Sequence, residues 1–185
     1  MRSFIAINLP ETVREHIGDF IRNLKSAGGN VKWVRSGNIH ITLKFLGELE
    51  EHKIENIQDV IKRIASNNKP FQVSLEGKGG FPNLSHPRIL WIGIQTGYEA
   101  LKQIAEDMES SLEPLGFLKE KRSFSPHVTV GRVRSVSDIR SLTERMQKME
   151  FKKTFFKVDQ IELIKSDLTP RGPIYTPILT CKIGE

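Results

Sequence analysis

One cysteine, Cys181, occurs in 185 residues, so no internal disulfide can form and thiolate ligands for a metal cluster are missing. No apolar run approaches the ~20 residues that cross a bilayer. The opening "MRSFIAINLP" has one Arg and a short apolar run, without the longer apolar region and small-residue cleavage site of a secretory signal. It reads as a first strand. There is no low-complexity linker, no HExxH pair and no P-loop. These absences set the expectation of a protein without a membrane segment, in the cytoplasm, folded over residues 1–185 as one bilobal domain.

What is present fits a globular chain. Hydrophobic residues make up 38% and charged residues 27%, enough apolar material for a real core. Lys and Arg number 28 against 22 Asp and Glu, a formal net charge of +6. A basic balance steers polyanions, but at this size it serves solubility equally well, so the placement of the charges must decide.

The periodicity alternates between strands and helices. Residues 3–9, "SFIAINL", predict a strand, and Pro10-Glu11 suits a helix start. Val13, Ile17, Phe20, Ile21 and Leu24 then recur at helical spacing until Gly28-Gly29. A strand around "GNIHITLKFLGE" (37–48) follows, then a helix marked by Ile54, Ile57, Ile61 and Ile64. "FQVSLEG" (71–77) and "RILWIGIQ" (88–95) predict strands around a Gly/Pro-rich loop. Leu101, Ile104, Ala105, Met108 and Leu112 mark a third helix, and "FSPHVTVGRVRS" (124–135) a further strand. Ile139, Leu142 and Met146 suggest a fourth helix, capped by Ser135 or Ser137. "FFKVDQIELIKS" (155–166) predicts one long strand, and "IYTPILTCKI" (174–183) a last one, on an edge because of Pro177. The order reads as a loose duplication. It predicts an α+β fold with two related lobes, each an antiparallel sheet with flanking helices, about a pseudo-two-fold axis.

Two stretches carry the chemistry. In 37–48, strict alternation puts Ile39, Ile41, Leu43 and Phe45 on one face and His40, Thr42 and Lys44 on the other. In 124–135, His127 and Thr129 share a face opposite Val128 and Val130. A single His-x-Thr is weak. With five His and nine Thr in the chain, two such pairs arise by chance only about 2% of the time, before the apolar residues at the intervening positions are required as well. One structural imidazole needs no special account; the same local pattern twice does. Zinc would need three or four ligands, and neither motif has a carboxylate or cysteine beside it. Acid–base chemistry needs only the two imidazoles, whose unperturbed pKa near 6.5 lets one ring accept a proton while the other donates. The threonine hydroxyls on the same faces can donate to an anionic oxygen. Two His and two Thr thus form a symmetric cradle for a phosphodiester. The pattern does not say which histidine is acid and which is base.

With these residues on the page, "HITL" (40–43) and "HVTV" (127–130) resemble the paired HxTx motifs of the two-histidine (2H) phosphoesterase superfamily. Within it the chain resembles the RNA 2′,3′-cyclic phosphodiesterases, also called 2′-5′ RNA ligases, nearly end to end. The likeness runs through "FIAINLP", "VKWVRSGNIHITLKFLGE", "RILWIGI", "SPHVTVGRV" and "LIKSDLTPRGPIYTPI". The resemblance implies HxTx strands facing a central cleft, and hydrolysis of a 2′,3′-cyclic phosphate at an RNA end to a 2′-phosphomonoester, with neither metal nor cofactor. It implies His40 as proton donor to the leaving 3′ oxygen and His127 as proton acceptor from water. Its partner would be RNA with a cyclic phosphate end, such as a tRNA fragment, bound by a monomer, and 2′-5′ ligation would use the same site.

Other residues are candidates on position. Thr42 and Thr129 would bind the phosphate. Arg132 would help if a bulge at Gly131 returned it to the histidine face, because its odd spacing from His127 places it opposite in a regular strand. Lys44 is on the His40 face by alternation. Phe4, Phe81 and Trp91 could stack a base or fill the core. Lys119, Lys121, Arg122 and Arg134 bracket the second motif and could follow an RNA backbone. A noncatalytic RNA- or nucleotide-binding module remains the competing class; its cradle would not need two titrating groups.

Overall fold

The computed structural model describes residues 1–185. The elements run β1 (Arg2–Asn8), α1 (Glu11–Lys25), β2 (Asn30–Trp33), β3 (His40–Glu48), α2 (Ile54–Asn67), β4 (Phe71–Phe81), β5 (Ile89–Ile94) and α3 (Tyr98–Leu112). There follow β6 (His127–Ser135), α4 (Ile139–Lys148), β7 (Thr154–Val158), β8 (Gln160–Thr169) and β9 (Gly172–Lys182). The strands form two antiparallel sheets, of order β3-β1-β8-β9 and β2-β6-β5-β4-β7. The duplication is legible in these orders. β3-β1-β8-β9 corresponds to β6-β5-β4-β7, with β2 an extra strand covering the edge of β6.

The helices form where apolar residues recur at helical spacing, and they bury that stripe. Val13, Ile17, Phe20, Ile21 and Leu24 of α1 are all buried, as are Leu101, Ile104, Ala105, Met108 and Leu112 of α3. α1 follows a strand of the four-stranded sheet yet packs on α4 and β7. α3 follows a strand of the five-stranded sheet yet packs on α2 and β3. The two halves are therefore interleaved, and 41 buried side chains make one continuous apolar cluster. No helix is long and apolar enough to cross a membrane.

The sequence reading departs from the structure in four places. The strand expected over 155–166 is two strands in different sheets, because the chain leaves β7 at Val158 and enters β8 at Gln160. β4 runs on through Gly79-Gly80 to Phe81, where a loop was expected, since Trp91 of β5 lies over Gly79 and holds the pairing. A β-carbon at Gly79 would stand 2.4 Å from that indole. β2 was not anticipated: at four residues it carries no readable alternation. α4 has Asp138 at its cap in the left-handed region, while Ser135 and Ser137 bond each other. Pro177, by contrast, is on the edge strand as expected, at a shift in the β8–β9 register.

Candidate active site

His40 opens β3 and His127 opens β6, the corresponding strands of the two sheets, whose Cα atoms approach within 8 Å of one another. Each imidazole is fixed in the same way. His40 Nδ1 lies 2.8 Å from the Asn38 carbonyl and His127 Nδ1 2.7 Å from the Ser125 carbonyl, two residues upstream in each half. A carbonyl only accepts, so both rings carry their proton on Nδ1 when neutral and keep Nε2 free to exchange one. His40 Nε2 meets the Thr42 hydroxyl at 2.9 Å. Because these anchors are backbone carbonyls, no side-chain type at 38 or 125 announces them in the sequence.

Both strands break their alternation at the same point. In β3, Thr42 pairs with Ala6 and Lys44 with Ile5, which leaves Leu43 as an extra residue. In β6, Thr129 pairs with Trp91 and Gly131 with Leu90, which leaves Val130 extra. Each bulge shifts the following residues to the opposite face. Arg132 thereby comes onto the face of His127 and Thr129, as the conditional reading of Gly131 required. Gly131 itself is packed beneath Val31 and Trp33 of β2. The same bulge overturns two assignments in β3. Lys44 is not on the His40 face but buried, with Nζ 2.7 Å from Glu109 of α3 and 2.6 Å from the Leu118 carbonyl. Phe45 is not in the core: it is 54% exposed.

The walls of the cleft are aromatic. Phe4 is buried against His40, ring centroids 4.8 Å apart, and Tyr175 approaches both, at 4.9 Å from Phe4 and 5.5 Å from His40. Across the cleft Phe81 stands edge-on to His127 at 5.0 Å, with Trp91 behind it at 5.3 Å. Phe4 and Phe81 are therefore supports for the histidines. Tyr175 is brought in by the β8–β9 hairpin, which outruns β1 beyond the Ser3–Lys165 pair. The hairpin tip is tied to the crossover before β3: Asn38 Nδ2 donates to the Pro173 carbonyl at 2.9 Å, and Arg35 donates to the Arg171 carbonyl.

Two further groups on this face were missed. Asn8, opposite His40 in the β1–β3 register, donates to Glu162 at 2.5 Å, and Glu162 is buried. The alternation of Phe4, Ala6 and Asn8 against Ile5 and Ile7, and the single acid inside "QIELIK", are the signals that could have found them. Burial raises the Glu162 carboxyl above its ordinary range, opposed by the Asn8 bond and the Arg14 charge.

The electrostatics are dominated by burial and one cation. Burial lowers the pKa of His40; the Asn38 bond opposes this, and the charges of Arg132 and then His127 lower it further. His127 is lowered by burial and by Arg132, against the Ser125 bond. Burial raises the Tyr175 phenol, opposed by Arg132 and Arg2. One guanidinium thus acts on both histidines and on the tyrosine at once. Lys32 pairs with Arg132 in register and so shares its face, and Arg134 lies exposed on the same strand. Lys119 instead pairs with Glu113 at 2.7 Å, while Lys121 and Arg122 are exposed in the loop before β6. No group of three His, Cys, Asp or Glu gathers in a way that could hold a metal ion. The site thus combines two imidazoles anchored through Nδ1 with one guanidinium whose charge reaches both.

The chain is similar to known proteins along nearly its whole length. A protein named RNA 2′,3′-cyclic phosphodiesterase from Methanocaldococcus jannaschii is 38% identical over 181 residues, 96% of this chain and 98% of that one. One of the same name from Methanothermobacter thermautotrophicus is 34% identical over 177 residues, 95% of each chain. A crystal structure from Thermus thermophilus superposes with a TM-score of 0.82 at 26% identity, covering 100% of this chain and 98% of that one. The family model of the 2′-5′ RNA ligase superfamily matches residues 12–170. With two sheets related by the duplication, and the motif strands β3 and β6 adjacent between them, the chain belongs to the 2′-5′ RNA ligase superfamily.

Proposed function

We propose that the protein hydrolyses RNA 2′,3′-cyclic phosphate ends to 2′-phosphomonoesters by paired-histidine acid–base catalysis, without a metal. The observation that carries this reading is the pair of imidazoles, each anchored through Nδ1 to a carbonyl and each within the field of Arg132. The curated relatives of the same length bear the name of this activity.

The cyclic phosphate sits between the two Nε2 atoms, its non-bridging oxygens taking hydrogen bonds from Thr42, Thr129 and Arg132. Water attacks phosphorus in line with the 3′ oxygen. His127 Nε2 takes the water proton as the new P–O bond forms. The P–O3′ bond breaks with its electron pair leaving on O3′, and His40 Nε2–H supplies the proton that makes the 3′-hydroxyl. The phosphate remains on O2′. The rings end with protonation states exchanged and reset through solvent. Arg132 supplies fixed positive charge where a metal would otherwise polarise the phosphate. A 5′-hydroxyl in place of the water would give 2′-5′ ligation at the same atoms. The basic row of Lys32, Arg132 and Arg134 supports RNA over a free nucleotide as substrate, bound by a single chain in the cytoplasm, a reducing compartment suited to one buried thiol.

The test is hydrolysis of a short RNA ending in a 2′,3′-cyclic phosphate, with EDTA present, by wild type, His40→Ala and His127→Ala. Turnover to the 2′-phosphate is expected, reduced by roughly 10²–10⁴ in each variant. Turnover that survives either substitution would overturn the mechanism. Tight RNA binding by a wild type that does not turn over would make the protein a binding module instead.

A further inference from the structure

Asn38 is bonded at both ends. Its carbonyl accepts from His40 Nδ1 at 2.8 Å, and its side-chain Nδ2 donates to the Pro173 carbonyl at 2.9 Å. β3 and β9 are opposite edges of the four-stranded sheet, so the second bond is no part of the ladder. It joins the short turn that ends at Asn38 to the projecting β8–β9 hairpin. That hairpin is a firm anchor. Thr169 Oγ1 donates to the Gly172 carbonyl at 2.6 Å, the Arg171 amide donates to Thr169 Oγ1 at 3.2 Å, and Arg35 adds a tie to the Arg171 carbonyl. The turn has less to hold it. Ser36 makes one long bond, at 3.3 Å to the Arg14 carbonyl, and nothing lies within 4 Å of where a Gly37 β-carbon would stand. The Asn38 amide is therefore its main side-chain hold. In the other half the anchor is the exposed Ser125, whose carbonyl holds His127 with no hairpin behind it.

We propose that Asn38 is a positioning residue that clamps His40 to the β8–β9 hairpin; what the ring then does rests on the phosphodiesterase reading above. An imidazole turns about its side-chain bonds and can carry its proton on either nitrogen. A general acid must present one proton at one place, and a displacement of about 1 Å costs roughly 10²-fold in rate. With the Asn38 carbonyl held still, Nδ1 keeps its proton and Nε2 stays beside Thr42, facing the cleft. The same clamp fixes the hairpin that brings Tyr175 to 5.5 Å from the ring. An apolar side chain at 38 would leave the Pro173 carbonyl without this donor and the turn free to shift. Only one half has the clamp. His40 is tied to a distant part of the fold, while His127 is held locally.

The experiment compares wild type, Asn38→Leu, which is close in size but has no donor, and Asn68→Leu as the control. Asn68 also donates its amide to a backbone carbonyl, that of Ile64 at 2.8 Å, at the end of α2. Nitrogen-15 NMR reads the tautomers of His40 and His127. Steady-state kinetics on a short RNA ending in a 2′,3′-cyclic phosphate gives kcat and KM. Asn38→Leu is expected to lower kcat by roughly 10- to 100-fold with KM little changed. It is expected to move His40 alone from the Nδ1-protonated form toward a mixture. The His40 pKa is expected to fall further, because the carbonyl bond is what opposes burial and the charges of Arg132 and His127. Asn68→Leu is expected to leave kcat and both rings as in wild type. A His40 that keeps its tautomer in Asn38→Leu would overturn the clamp. So would an equal displacement of both rings, or the same loss of kcat in Asn68→Leu. A wild type without turnover, whose His40 alone loses its tautomer in Asn38→Leu, would overturn the phosphodiesterase reading and support the clamp.

Discussion

His40 Nε2 lies 2.9 Å from the Thr42 hydroxyl, while the matching Thr129 makes no such bond to His127. The two halves are thus unequal before any ligand arrives. In one, the hydroxyl is shared between the ring and the incoming oxygen; in the other it is free for the oxygen alone. In the proposed mechanism each hydroxyl donates to a phosphate oxygen where charge develops. Thr42→Val and Thr129→Val are each expected to lower kcat/KM by roughly 10²-fold. Thr→Ser at either position, which keeps the donor, is expected to recover most of the loss. Both threonines are half-buried, so the thermal midpoints are expected to hold. Steady-state kinetics beside thermal melts checks both statements, and a valine variant as active as wild type would remove that threonine from the cradle.

Both histidines have their pKa lowered, by burial first and by Arg132 after the opposing carbonyl bond. The proposed mechanism predicts a bell-shaped kcat/KM profile for the free enzyme, bounded by these two groups. Its maximum is expected on the acidic side of 6.5, the ordinary imidazole value. Replacing Arg132 by Met removes a positive charge from the field of both rings. The bell is then expected to move to higher pH while its height falls, because phosphate loses its cation. Stability follows with a definite sign. A histidine that resists protonation in the fold binds fewer protons than in the unfolded chain. Its stabilising effect is complete above the unfolded value near 6.5 and is lost as pH falls toward the folded value. Denaturant unfolding at a series of pH values, and NMR titration of the two rings, read these effects directly. An Arg132→Met profile that keeps the wild-type position would show that the guanidinium does not act on the rings.

Much of this arrangement is legible in the amino-acid sequence alone. The helices are, because buried stripes such as Val13, Ile17 and Leu24 follow the helical period without interruption. The motif strands, with His40 and His127 at the head of corresponding strands, are, because alternation and repetition are local signals. What escapes is decided between distant segments. The hinge between β7 and β8 lies in a run that keeps the character of a single strand, and only the competition of two sheets for its halves divides it. The bulges in β3 and β6 depend on pairing with β1 and β5. A reading by strict alternation therefore puts Phe45 inside and Lys44 outside, the reverse of what the register allows. For Arg132 the glycine before it offers a hint, since a residue without a β-carbon can enter the packed space under Val31 and Trp33. No such hint stands before Phe45, where the intervening residue is a lysine.

That lysine turns the first bulge into a measurable element of stability. Lys44 Nζ meets Glu109 at 2.7 Å with side-chain exposures of 2% and 16%, and also donates to the Leu118 carbonyl. The pair ties the strand that carries His40 to α3, which comes from the other half of the duplication. Lys44→Met leaves Glu109 without its cation in a low-dielectric setting and is expected to cost about 3 kcal/mol, a fall in thermal midpoint of about 10 °C for a chain of this size. Glu109→Leu alone is expected to cost a similar amount by stranding the ammonium. Lys44→Met combined with Glu109→Leu replaces the ion pair with apolar packing and is expected to regain most of that loss. If Lys44 instead served the phosphate from the histidine face, the double variant would stay as inactive as Lys44→Met while its stability recovered. The buried geometry predicts that activity and stability return together, because Lys44 holds the strand that carries His40 and Thr42 against α3.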